Sequence, residues 1–411
     1  MLIALEDIVD IDDDLDVLEK LDDQFAIVGD AFTDLVTSDG TTMEIAATLE
    51  ALLPGVITES MPINSFTKDP SQTNYALTME GIGATIKNLI KAASAAIAKL
   101  AKRMYEWLKK LFGKGSTAEQ GKENARKAER SGEERSKAED DLEKAKAEVP
   151  DEHKHAVDDK LKTDLDVGLH NVGDVSQNAA LAKMAGMVSM FTHNYATNSV
   201  WLNAIDKFTT TAIRDSNLQL AAIMAATSSI GQLKDASELD SILAKLQKPA
   251  IGMLDDLLGI PELKQAVSTA ESDTDKARAI YTFLRDSTTL DPKYDFKKVP
   301  EFDYTAATDV FDRIMQYQQG RFLSRLELFT ELWESTITEM EAGVSEKTVL
   351  DPEATRKMMY TFRELLNELL MVNQILHILV VAINHYSIMF IEADMSAIYS
   401  IKKAETIIGT A

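Results

Sequence analysis

The chain has 411 residues, a net charge of −24, no cysteine and a 45% hydrophobic fraction. That length accommodates two or three domains with a substantial core, and the missing cysteines exclude a disulfide framework and any thiolate metal centre. The acidic balance excludes a protein that meets nucleic acid over its whole surface, so any such contact must be local.

Only 9 Pro and 18 Gly, set among abundant Ala, Leu, Lys, Glu and Met, favour helix over sheet. The expected fold class is all-α: a multi-helix bundle with an acidic N-terminal leader, a basic amphipathic helix and a charged spacer. Residues 1–60 are the leader, with sixteen acids against the single base Lys20, a local charge of −15. No basic stretch precedes its first apolar residues, so it does not read as a secretory signal. Leu15, Leu18, Phe25, Val28, Phe32, Leu35 and Val36 recur at helical spacing and predict short helices. Asp12, Asp14 and Asp16 invite a calcium-loop reading, but Val17 then stands where the turn glycine belongs and Asp23 where the bidentate Glu belongs. A solvated acidic segment is the simpler reading.

Residues 61–115 hold a linker and the basic helix. Pro62 and Pro70 forbid a continuous helix in the linker, Ser71 or Thr73 is placed to cap a short one through Met79, and Gly81 and Gly83 are placed to end it. Residues 84–112 are then expected to form one helix. Ile86, Leu89, Ile90, Ala93, Ile97, Leu100, Met104, Leu108 and Leu111 follow steps of three and four. The other face carries Lys87, Lys91, Lys99, Lys102, Arg103, Lys109 and Lys110. From 84 to 114 there are eight bases and one acid, Glu106, a local charge of +7. Such a face suits DNA, an anionic membrane or an acidic partner.

Residues 116–165 carry 26 charged side chains in 50, with few large apolar anchors. The expectation is a solvated spacer with few long-range contacts, tethering the basic helix to the rest. His153 and His155 sit two apart, on different faces of a helix, which does not suit a metal pair. Gly113-Lys114-Gly115-Ser116 lacks the first glycine of a phosphate loop.

Residues 166–411 read as one helical bundle domain. Amphipathic runs fall near 176–192, 198–214, 216–231, 236–247, 262–285, 304–341 and 352–407, with Asp303 or Thr308 placed to cap the sixth. The most apolar segment, Leu369–Ile391, approaches the length of a membrane span. It also holds Asn373, His377 and Asn384 within about 40° of one face, which points to a buried bundle helix with a hydrogen-bonded polar seam. No metalloprotease, hydrolase, nucleotide-loop or dinucleotide motif occurs, so no catalytic residue, metal ligand or cofactor is assigned and the chain is read as non-enzymatic.

Glu59-Ser60, Ser65-Phe66-Thr67, Pro70-Ser71, Asn74-Tyr75 and Thr78-Met79-Glu80-Gly81, followed by a basic helix ending Tyr105-Glu106-Trp107-Leu108-Lys109-Lys110-Leu111-Phe112-Gly113, resemble the leader of internal head proteins of large tailed bacteriophages. The resemblance covers residues 57–114. It implies a virion structural protein made in the host cytoplasm and packaged in the head with other capsid or internal virion proteins. It also implies a propeptide removed by a prohead protease that cuts after Glu; Ile57-Thr58-Glu59 fits that pattern, with Ser60 as the new N-terminus. Ala4-Leu5-Glu6 fits too, but its use would remove almost nothing, and Thr78-Met79-Glu80 fits less well. The expected mechanism is masking. The acidic leader neutralises the basic helix until cleavage, after which the helix meets packaged DNA or, on ejection, the host membrane. The competing reading is a membrane-active helical protein, a pore or ejection-channel component in which 84–112 and 369–391 insert.

Overall fold

The computed structural model describes residues 17, 20–21, 23, 75–112, 116–164, 198–230, 236–246, 250–287, 302–319, 321–344 and 352–409. Among these stand ten α-helices, one 3-10 helix and no strand, so the fold is all-α. The helices are α1 (Tyr75–Phe112), α2 (Thr117–Glu148), α3 (Asp151–Asp164), α4 (Ser199–Ile230), α5 (Ala236–Ala244), α6 (Pro261–Ala266), α7 (Asp273–Ser287), α8 (Tyr304–Gln319), α9 (Phe322–Val344) and α10 (Pro352–Gly409). The 3-10 helix, Ala250–Gly259, precedes α6.

Local chemistry explains most of the boundaries. Ser116 caps α2 by accepting the Glu119 amide at 3.3 Å, and Glu119 completes the Ser-x-x-Glu pattern of a capping box. Asp303 accepts the Ala306 amide at 2.8 Å and starts α8, the first of the two caps expected there. Gly81 and Gly83 do not end a helix. Each costs only about 1 kcal/mol inside one, and α1 runs through both from Tyr75. The runs near 198–214 and 216–231 join as α4. The run 304–341 divides, because Arg321 takes a positive φ of 62° between α8 and α9. The run 262–285 divides into α6 and α7.

The chain folds into two compact units that interleave along the sequence. The first comprises 1–108, 216–250 and 321–370; the second comprises 109–215, 251–320 and 371–411. In the first unit Trp333 of α9 is fully buried, stacks against Phe329 and Phe362, and donates its indole N–H to the Ser94 carbonyl of α1 at 3.2 Å. The Thr336 hydroxyl donates to the Thr227 carbonyl of α4 at 3.3 Å. Leu89, Ile90, Ile97, Leu100 and Met104 supply the buried apolar face of α1 in this unit.

The second unit overturns the spacer expectation for residues 117–148. Ala118, Gly121, Ala125, Ala128, Ser131, Ala138 and Leu142 of α2 are buried. Gly121 lies against the Phe311 ring of α8 so closely that a Cβ there would stand 3.1 Å from Cδ1 and nearer still to two further ring carbons. Gly132 accepts the Tyr304 ring end in the same manner. Lys122 pairs with Asp312, and the Asn124 amide donates to Asn384 of α10 at 2.8 Å. At the far end Ala138 and Leu142 share an apolar cluster with Val157 of α3 and with Ile401, Ala404 and Ile407 of α10. Long side chains were not needed. A stripe of small residues lets helix backbones approach closely, and close approach supplies the packing that bulk would otherwise supply.

The Leu369–Ile391 segment lies within α10, the one described helix long and apolar enough to cross a membrane, and 72% of its most apolar window is buried inside the protein. Asn373 and His377 are buried, and of the three seam residues Asn384 is hydrogen-bonded to Asn124.

Candidate functional site

Two features stand out, one on the surface and one buried. The surface feature is the basic face of α1. Lys91, Lys99 and Lys102 are exposed and Arg103 is half-buried, while Leu89, Ile90, Ala93, Ile97, Leu100 and Met104 on the other side are buried. At 1.5 Å per residue, the stretch from Lys91 to Arg103 covers about 18 Å of helix axis. Ser94 fixes the helix at its middle through the bond from Trp333. Lys109 and Lys110, in the last turn of α1, are exposed and group with the second unit. Cations at a helix C-terminus are favoured by its dipole. Lys87 lies on α1, but its side chain is outside the described residues, as are Glu59, Ser60, the rest of the acidic leader, Asp12, Asp14, Asp16 and the 176–192 run. Of the seven basic residues expected to bind, six are described on α1, exposed or half-buried: Lys91, Lys99, Lys102 and Arg103 in the first unit and Lys109 and Lys110 in the second.

The buried feature sits in the second unit and was not anticipated. The Asp394 carboxylate of α10 is fully buried. One oxygen accepts the Ser131 hydroxyl at 2.7 Å and the other accepts the Arg135 guanidinium at 2.6 Å. Arg135 also lies 5.8 Å over the Phe390 ring and within 3.5 Å of Glu139. Phe302, Tyr304, Tyr386 and Phe390 surround the pair with ring centroids 5.1–5.6 Å apart. Burial raises the Asp394 carboxyl above its ordinary 3.8, opposed by Ser131 and Arg135. Burial, helped by the Asp394 charge, pushes the Tyr304 hydroxyl up to about 12. These groups lock α2 onto α10 and α8. Their chemistry is that of a structural clamp: a carboxylate, a guanidinium and two phenols held among aromatic rings tie these helices together.

The sequence carried a signal for this clamp. Positions 118, 121, 125, 128, 131, 135, 138 and 142 advance by three or four, the same helical period that marked α1. Six of these eight positions are Ala, Gly or Ser, which a search for large apolar anchors passes over. Asp394 had no such signal, being one acid among 67. His153 and His155 of α3 are both exposed, and no group of three or more His, Asp or Glu gathers for a metal among the described residues.

No protein-family model, curated protein or solved structure matches this chain.

Proposed function

We propose that this chain is a non-enzymatic structural protein packaged inside the head of a large tailed bacteriophage, where α1 contacts a polyanion, packaged DNA, through Lys91, Lys99, Lys102, Arg103, Lys109 and Lys110. The observation that carries the polyanion contact is the division of α1 into a buried apolar face and an exposed basic one. A helix held in this way meets phosphates without leaving the bundle. The virion setting rests on the likeness of residues 57–114 to phage internal head proteins. The partners on this reading are other capsid or internal virion proteins and DNA, with processing between Glu59 and Ser60.

Membrane insertion on ejection is the second reading, favoured by the apolar length of α10. Its cost is set by packing. To reach lipid, α1 would first have to expose Leu89, Ile90, Ile97, Leu100 and Met104, at about 1.5–3 kcal/mol for each side chain. DNA asks for no such step, so it is the preferred ligand.

Fluorescence anisotropy with duplex DNA tests the contact. Six phosphate contacts give a slope of log K against log salt of about −5.4. Replacing Lys91, Lys99 and Lys102 with Glu should abolish binding in a chain that begins at Ser60; unchanged binding refutes the reading. Intact mass of the chain from its particle tests the virion setting, with Ser60 as the expected N-terminus. Leakage from anionic vesicles at concentrations that leave DNA unbound would favour the membrane reading instead.

A further inference from the structure

Among the described residues, the last third of α10 keeps an exposed face. Its inner side is spent on the clamp and on the Ile401, Ala404 and Ile407 cluster. Its outer side leaves Ile388, Met395 and Tyr399 at 38%, 63% and 72% exposure. Glu392, Lys402 and Thr406 are exposed on the same side. In order, positions 388, 392, 395, 399, 402 and 406 advance by four, three, four, three and four. That is the a/d spacing of a coiled-coil seam, carried on a helix whose other side is already packed.

We propose that this seam pairs two copies of the chain, α10 against α10 in antiparallel orientation. The register follows from the charges. In an antiparallel pair each a position faces a d position of the other copy. A two-fold axis at the level of position 397 therefore sets Met395 against Tyr399, Glu392 against Lys402 and Ile388 against Thr406, each layer occurring twice. The centre is a thioether on an aromatic ring, a favourable contact. Both flanking layers are ion pairs of opposite sign. A parallel pair in register would instead place Glu392 on Glu392 and Lys402 on Lys402, which costs stability twice. A Glu–Lys layer in a seam adds little net affinity because both ions lose water, but it selects the orientation. The two-fold also makes the contact self-complementary, so it closes at a dimer.

Sedimentation equilibrium of the full chain tests the proposal, with a mass of twice 45.4 kDa expected at high concentration. Glu392→Lys alone sets Lys against Lys, and Lys402→Glu alone sets Glu against Glu. Each should weaken dimerisation by about tenfold or more, the scale of coupling seen for close charge pairs. The double variant restores opposite signs in both layers and should return the dimer to within about threefold of the original. Both substitutions exchange good helix formers at exposed positions, so circular dichroism of all three variants should be unchanged. A chain that remains at 45.4 kDa at every concentration overturns the proposal, and so does a dimer indifferent to the single changes. A double variant weaker than either single one overturns the antiparallel register. If Met395→Glu lowers the melting temperature of a monomer, another segment of the same chain covers the seam and the proposal fails.

Discussion

Replacing Arg135 with Met isolates the contribution of the clamp. Methionine keeps most of the aliphatic stem that lies over Phe390 and removes only the charge and its donors. Asp394 would then be a fully buried carboxylate holding a single hydrogen bond, from Ser131. Breaking a buried pair by removing one partner costs about 3–5 kcal/mol. The Arg135 side chain is 22% exposed, so part of its charge was already in water and the expected cost at pH 7 falls to about 2–4 kcal/mol. The pH dependence has a defined sign. Asp394 is held above 3.8 in the folded chain, so the folded state binds more protons than the unfolded state across that interval. Protonation therefore contributes stability that is fully present below 3.8 and is lost as pH rises through the folded value. Arg135 lowers the folded value; without it the interval extends upward. The cost of Arg135→Met should thus be near zero at pH 3.5 and grow steadily toward pH 7. Urea titrations followed by circular dichroism between those limits measure it. The double variant Arg135→Met, Asp394→Leu removes both ions and should recover to within about 1 kcal/mol of the original chain. A cost for Arg135→Met below about 0.5 kcal/mol, or one independent of pH, would refute the account of the clamp.

Three further outcomes test the packing of α2. Gly121→Ala gains about 1 kcal/mol of helix propensity, but the new methyl meets the fully buried Phe311 ring, and overpacking at about 1–3 kcal/mol should leave a net loss; Gly252→Ala, which meets nothing within 4 Å, is the neutral control in thermal melts. Ser116→Ala removes the α2 cap and should cost about 1 kcal/mol in the same melts, whereas Ser116→Asp should cost little. In limited proteolysis, residues 117–142 should resist a protease until the second unit unfolds, and early cuts inside that stretch would show that the small-residue seam does not hold.

How much of this was legible depended on what carries each element. The helical class followed from periodicity, and α10 could be read almost end to end because its apolar residues are large and its start is marked by Pro352. Asp303 was recognisable as a cap because a short acid before a periodic run has few other uses. The packing of α2 was not legible by the same means. Its contacts depend on what is missing at Gly121 and Gly132, and a missing side chain counts as nothing in any tally of apolar residues. The partners that fill those spaces, Phe311 and Tyr304, lie more than 170 positions away in the sequence. The Asp394–Arg135 pair separates by 259 positions and has no local pattern at all. The basic face of α1 was legible as a face, whereas the burial of its apolar side required the Trp333 bond to Ser94 and the rest of the first unit to be seen.

The packing of α2 changes what the basic helix can do. A flexible spacer would have let α1 swing out to its ligand, and a leader could have masked it anywhere along that swing. Within the first unit α1 is held at Ser94, and within the second α2 is clamped at Asp394. On the masking proposal the leader would act on a helix face held within its own unit. An attraction between sixteen acids and a cluster of bases would be weakened by salt, since exposed charges are screened beyond about 8 Å at physiological ionic strength. The same salt would weaken the proposed DNA contact. On the proposed reading the two would compete within the same range of conditions, and cleavage after Glu59 would remove one competitor irreversibly. On that logic the uncleaved chain should bind DNA more weakly than the chain beginning at Ser60 at low salt, and the difference should shrink as salt rises. Equal affinity of the two chains at low salt would remove masking from the mechanism while leaving the DNA contact itself intact.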